Sequence, residues 1–154
     1  MNAITWVVAP FSKLNTNQLY DALKLRIDVF VVEQTCYYPD LDDLDRHDDT
    51  LHVLVYEGKE IIGYLRILPP GTTYQDKCSI GRVVISHSAR GNGLAHEMMK
   101  KAHVLIIKHF PEHHIKISAQ EYLTKFYEQH GYKTVSEVYL EDGIPHVAME
   151  KIND

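Results

Sequence analysis

The 154-residue chain is 45% apolar and 24% charged and carries a formal net charge of −5 with its histidines neutral. That size and balance predict one globular domain over residues 1–154 and exclude a disordered, collagen-like or low-complexity chain. The acidic balance argues against a nucleic-acid partner held by phosphate neutralisation.

At the N-terminus, Met1-Asn2-Ala3-Ile4-Thr5-Trp6 lacks the basic start and apolar run of a secretion signal. No apolar stretch approaches the roughly 18 residues of a membrane span. The two cysteines, Cys36 and Cys78, are too few for a disulfide scaffold. A cytoplasmic domain with free thiols and no membrane partner is expected. Asn15 or Thr16 is the candidate N-cap, Asn15 and Gln18 being spaced as a capping box, and Leu19, Leu23, Ile27 and Phe30 then recur at helical spacing to about Val32. Residues 35–49 hold six aspartates and read as a solvated loop that could attract a cationic amine. Leu44 and a missing glycine exclude a calcium-binding EF-hand there.

Residues 52–56 and 61–67 flank Glu57-Gly58-Lys59-Glu60 and predict a hairpin, stopped by Pro69-Pro70-Gly71. Residues 79–85 form a third β-branched run in which Gly81 suggests a bend or bulge. After Arg90-Gly91-Asn92-Gly93 comes a long helix with Leu94, Met98, Ala102, Leu105 and Ile106 on one face. His109, His113 and His114 surround Pro111 without convincing metal spacing, so no metal site is expected. Residues 115–119 predict a strand, 122–130 a short helix ended by Gly131, and 135–140 with 146–151 a closing hairpin. This order fits an α+β domain with one central, mostly antiparallel sheet.

The most informative local signal is Val83-Val84-Ile85 followed, five residues later, by Gly91-Asn92-Gly93-Leu94-Ala95 opening a helix. Glycines allow close approach to the backbone, and a helix start offers unpaired N–H groups and a positive dipole end, which suits a pyrophosphate. Arg90 could add charge-assisted hydrogen bonds; a plain turn into a helix is the structural alternative. No Lys-Ser/Thr follows the glycines, so this is not a P-loop. His96 stands where a dinucleotide fingerprint needs Gly or Ala, and Glu112 precedes the next strand instead of following it.

Arg90-Gly91-Asn92-Gly93-Leu94-Ala95 resembles the Arg/Gln-x-x-Gly-x-Gly/Ala acyl-CoA motif of the GNAT superfamily of N-acetyltransferases. Phe126-Tyr127-Glu128-Gln129-His130-Gly131-Tyr132 resembles the helix end of that family. Four further segments are similar to its ElaA-like branch: residues 25–36, Ile80-Gly81-Arg82-Val83-Val84, Ser118-Ala119-Gln120, and residues 139–146. The resemblance spans about residues 11–150 and implies three α/β/α layers, with helices flanking a central mixed, mostly antiparallel twisted sheet. It implies acetyl-CoA as co-substrate, with the pantetheine arm along Val83, Val84 and Ile85. It implies the pyrophosphate on amides of the turn from Gly91 through Asn92, Gly93, Leu94 and Ala95 to His96, and further contacts from Arg90, Gln120 and Phe126. The acceptor it implies is a primary amine of a small molecule or peptide, acetylated by direct attack in a ternary complex.

Such a transfer needs a neutral amine, donors for the oxyanion and a proton for the departing thiolate. Tyr127 is the candidate acid, because a phenol stays protonated at pH 7 and the family's tyrosine on this helix lies beside the sulfur. Its alternative is a packed ring with a surface hydroxyl. Glu33, His52 and His146 are candidate bases; a capping or ion-paired Glu33 and hydrogen-bonded structural histidines are the alternatives. Arg26 and Arg82 either organise these acids or form structural ion pairs. Cys36 has no clear histidine partner in sequence and reads as a packed thiol. Two other readings compete: a longer-chain acyltransferase, since Leu25-Arg26-x-x-Val29-Phe30 also resembles acyl-homoserine-lactone synthases, and a non-catalytic acyl-CoA-binding regulator. A homodimer through a sheet edge or the last hairpin is plausible.

Overall fold

The computed structural model describes residues 3–152 of the chain. Strand β1 (Ile4–Ala9) precedes helix α1 (Thr16–Arg26), which is followed by β2 (Leu51–Glu57), β3 (Glu60–Leu68) and β4 (Lys77–Ile85). Helix α2 (Leu94–His109) leads to β5 (His114–Gln120), α3 (Thr124–Glu128), β6 (Lys133–Thr134), β7 (Tyr139–Glu141) and β8 (Ile144–Lys151). The eight strands form one sheet in the order β1-β2-β3-β4-β5-β8-β6, with β7 also on β8. Every pairing is antiparallel except β4 with β5.

Alternation along β2 sorts the core into two layers. Val53 and Val55 join Met98, Ala102 and Ile106 of α2 on one face, while Leu54 and Tyr56 join Ala22 and Leu25 of α1 on the other. Gly63 lets α2 lie close to β3, since a Cβ there would come 2.7 Å from Met98 Sδ. The expected capping box starts α1, with Gln18 N donating to Asn15 Oδ1 at 2.7 Å and Asn15 N to Gln18 Oε1 at 3.0 Å.

Several expectations change. β1 was not anticipated, although Ile4-Thr5-Trp6-Val7-Val8-Ala9 is a β-favouring run stopped by Pro10. The first helix runs on as wide π-type turns over Ile27–Glu33, where Gln34 N donates to Val29 O five residues back. The closing strand at 135–140 is split into β6 and β7, both against β8. Its turn is Asp142-Gly143, both at positive φ (51° and 79°), which matches the twist of a two-residue hairpin.

Candidate active site

β4 and β5 pair only at Lys77↔His114 and Cys78↔Ile115, so the sheet opens beyond Cys78. Bending reinforces the opening. Between Gly81 and Val84, two residues of β4, Arg82 and Val83, face the single Leu65 of β3. This is the bulge that Gly81 suggested, but the left-handed residue is Arg82, at φ 53°. Holding a non-glycine residue in that region costs on the order of 1–3 kcal/mol, and strain of this kind concentrates at functional sites.

Two cavities, about 230 and 290 Å³, occupy the opening. They share Phe30, Gln34, Val83, Gln120, Leu123 and Tyr127. The larger is mostly apolar, and its far end reaches Ile85, Arg90 and Ala95 at the start of α2. The smaller is polar and extends to Tyr38, Tyr74, Glu141 and His146.

At the α2 end, Gly91 and Gly93 stand at φ 86° and 77°, and Gly93 is the N-cap with no side chain to cover the helix start. A Cβ at either glycine would meet no atom within 4 Å. Backbone angle, not crowding, therefore demands glycine here, and the first amides of α2, from Leu94, Ala95 and His96, lack intrahelical acceptors. Asn92 is exposed in the turn. This open, donor-rich helix end fits a pyrophosphate. Arg90 is placed differently from expectation. Its Nη1 and Nη2 donate to the Glu33 carboxylate at 2.7 and 3.0 Å, and its Nε to Ile85 O at 3.2 Å. The Arg90 hydrogen bond holds the Glu33 carboxyl below its usual range, so Glu33 is a committed anion. The His96 ring packs on Phe126 at 4.7 Å, and its Nδ1 lies 2.9 Å from His130 Nε2.

Tyr127 is 8% exposed and belongs to both cavities. Burial pushes its phenol up to about 12, so it is a proton donor and no base at neutral pH. Its hydroxyl makes no hydrogen bond among the described residues, and its ring packs edge-on to Phe126 and Tyr132. His146 also lines the smaller cavity, 6% exposed, with Nδ1 2.7 Å from Ile144 O. His52 lines neither cavity. It is 2% exposed, with Nδ1 2.7 Å from Tyr64 Oη and Nε2 2.8 Å from Asp45 O. Burial lowers its proton affinity, and with both ring nitrogens engaged it is a structural histidine.

The aspartate-rich segment is only in part the solvated loop that its composition suggests, with Asp43, Asp48 and Asp49 exposed. Asp40 and Asp45 are buried against Arg26 and Arg66, themselves 1% and 3% exposed. Arg26 donates to Asp40 at 2.8 Å and to Asp45 at 2.8 and 3.1 Å, while Arg66 donates to Asp42 at 2.6 and 2.9 Å and to Asp45 at 2.8 Å. Arg82 donates to Asp40 O at 2.9 Å; its Nε lies 3.0 Å from Asp40 Oδ1, but the N–H is not aimed for a hydrogen bond. Arg26 and Arg82 are thus structural ion-pair partners. Sequence reasoning missed Glu141 and Ser118 as cavity residues, since they stand on separate strands, β7 and β5, that meet only through β8.

A mixed sheet opened at its single parallel pairing, with a glycine-capped helix at the mouth, defines the acyl-CoA N-acyltransferase fold. Residues 26–153 match the acetyltransferase (GNAT) domain family, and the chain belongs to that family. It is ElaA-like: 38% identical over 148 residues to protein ElaA of Escherichia coli, covering 96% of each chain. The crystal structure of E. coli ElaA superposes with a TM-score of 0.91 at 37% identity, over 97% of this chain and 100% of that one. An acyl-CoA N-acyltransferase from Pseudomonas aeruginosa superposes at 0.92 with 38% identity, again over 97% and 100%. Among the described residues, no helix is long and apolar enough to cross a membrane, and no three His, Cys, Asp or Glu side chains are grouped to hold a metal ion.

Proposed function

We propose that the protein transfers an acetyl group from acetyl-CoA to a primary amine by direct attack within a ternary complex. The observation that carries this reading is the junction at Tyr127, where a cavity ending at bare helix amides meets a polar cavity from the other side. The turn from Gly91 to His96 would hold the pyrophosphate by backbone N–H groups. Val83, Val84 and Ile85, unpaired on the β5 side, would align the pantetheine arm, and an N–H of Val84 or Ile85 would face the acyl oxygen. Gln120 and Phe126 complete that wall. Arg90, bound to Glu33, would act here as a strut rather than as a phosphate ligand.

Tyr127 would supply the proton to the departing thiolate. Its raised proton affinity keeps it loaded at neutral pH, and its free hydroxyl has no competing acceptor. Of the three candidate bases, His146 alone pairs a position on the acceptor cavity with a ring nitrogen outside the backbone hydrogen bond. Cys36 lines the same cavity but donates to Asp142 O at 3.4 Å, in keeping with a packed thiol and no acyl-enzyme.

The test is an acetyl-CoA consumption screen over amines, polyamines, amino acids and peptides with Tyr127→Phe as control. The variant is expected to bind CoA as the wild type does and to lose roughly a hundredfold in kcat. Unchanged turnover removes the acid role. A donor chain-length series separates acetyl transfer from the use of longer acyl groups, and tight CoA binding without turnover on any acceptor marks a regulator.

A further inference from the structure

The closing hairpin carries a pair of side chains that the sheet itself does not require. His146 Nδ1 faces a carbonyl oxygen, which can only accept, so Nδ1 holds the proton and the neutral ring carries its lone pair on Nε2. Nε2 lies 3.4 Å from Glu141 Oε2. The other oxygen of that carboxylate, Oε1, accepts from Ser118 Oγ at 3.0 Å. Ser118 has only one hydroxyl proton, so Tyr139 donates its own to Ser118 Oγ in turn. The Tyr139 ring also stacks on the imidazole, with centroids 6.2 Å apart and planes 23° from parallel. Ser118 and Tyr139 thereby fix Glu141 with Oε2 turned to Nε2.

Two acceptor atoms consequently face each other with no proton of the neutral protein between them. Both residues line the cavity that ends at Tyr127. A group with several N–H donors satisfies both at once, and a positive charge adds its attraction for the carboxylate. An aliphatic ammonium has three such donors, whereas an arylamine is neutral at pH 7 and a hydroxyl offers a single proton.

On the acyl-transfer reading above, we propose that Glu141 and His146 dock the acceptor as an aliphatic primary ammonium and that His146 Nε2 removes its proton. The N–H bond breaks toward Nε2, and Glu141 Oε2 accepts the hydrogen bond of the imidazolium so formed. The freed nitrogen lone pair forms the C–N bond at the acyl carbon, and the C–S bond breaks as the tetrahedral intermediate collapses. Tyr127 gives its proton to the thiolate and regains one from the nitrogen, made cationic by attack. His146 releases its proton to solvent. The sum is ammonium plus acetyl thioester giving amide, thiol and one proton. Ser118 and Tyr139 are positioning residues. The ionisable groups facing the pair are Tyr139 on β7, Asp142 at the turn, and Tyr74 before β4, whose phenol senses Tyr139 and Glu141.

The experiment compares wild type, Glu141→Gln, His146→Gln and Ser118→Ala. Each is assayed for acetyl-CoA consumption with butylamine, putrescine and aniline from pH 5.5 to 9.5, and for CoA binding by calorimetry. Glu141→Gln is expected to raise KM for the aliphatic amines about ten- to a hundredfold, the scale of one charged hydrogen bond, and to leave KM for aniline unmoved. It should also move the acid limb of the rate profile to lower pH, because the imidazolium has lost its counter-ion. Ser118→Ala should move the same limb the same way by less, and Ser118→Thr should restore it. Glu141→Gln with unchanged KM and limb, in a wild type that does acetylate amines, overturns the docking proposal alone. Failure of the wild type to bind acetyl-CoA overturns the acyl-transfer reading instead. Imidazole 15N shifts decide the pair without turnover: an Nδ1–H tautomer whose titration falls in Glu141→Gln supports it, and an Nε2–H tautomer overturns it.

Discussion

Two polar clusters of similar composition and opposite construction reach the smaller cavity, one through Arg66 and Arg82, the other through Glu141 and His146. On the α1 side, Asp40, Asp42 and Asp45 each receive guanidinium N–H groups at 2.6–3.1 Å, so the three acids are satisfied by Arg26 and Arg66. On the hairpin side, Glu141 Oε2 and His146 Nε2 stand 3.4 Å apart, with no guanidinium between them. The first cluster leaves none of these three acids without a guanidinium, although Arg66 Nε has no partner among the described residues, and it ties the segment after α1 to β3 and β4. The second, on the reading proposed above, is completed by the ammonium of the acceptor. Similar charged residues thus serve as scaffold or as site according to whether their partners are already present.

The difference is broken most severely by removing a cation from the first cluster. Arg26→Met should cost about 3–5 kcal/mol, because Asp40 and Asp45 would remain buried without it. Urea unfolding measures this, and a loss under about 1 kcal/mol would mean that the cluster is not holding the wall. Asp45 gives it an acid signature as well. Burial pushes its carboxyl up, but the hydrogen bond and charge of Arg26, with Arg66, hold it below the ordinary 3.8. Its contribution is therefore complete above pH 3.8 and disappears as pH falls through the lower folded value.

A smaller effect is expected from His103 on α2. Burial, then Lys151 and His130, push it down to about 4 from 6.5. The unfolded chain binds this proton first, so stability present in full above about pH 6.5 declines toward pH 4. Thermal melts across that window should show a slope that His103→Gln reduces; equal slopes would remove His103 as the cause. The smallest effect is expected at the half-exposed Glu33–Arg90 pair. Glu33→Gln should cost no more than about 1 kcal/mol in unfolding. A large gain in CoA affinity in that variant would show that Glu33 withholds Arg90 from the phosphates.

Much of this arrangement is legible in the residue order because its causes are local. The capping box at Asn15 and Gln18, the hairpin at Gly58 and the glycines before α2 all depend on neighbours within a few positions. β1 is not legible in the same way, because its pairing partner, β2, lies about forty residues on. The aspartate-rich segment looks solvated for a related reason: Arg66 and Arg82, which neutralise it, belong to distant strands. His52 and His146 are indistinguishable as strand histidines, and only the fold shows one with both nitrogens engaged and the other facing Glu141. Glu141 itself needed the hairpin turn and Ser118 on a neighbouring strand to become visible.

The most direct test of the account is calorimetric titration of wild type and Gly93→Val with CoA. A branched side chain at φ 77° costs roughly 1–2 kcal/mol of backbone strain, and the turn must distort to relieve it. The account predicts a saturable site in the wild type and at least about a tenfold weaker one in the variant. Equal affinity in the two proteins, or no binding by the wild type, would contradict the assignment of the α2 mouth to the diphosphate of coenzyme A.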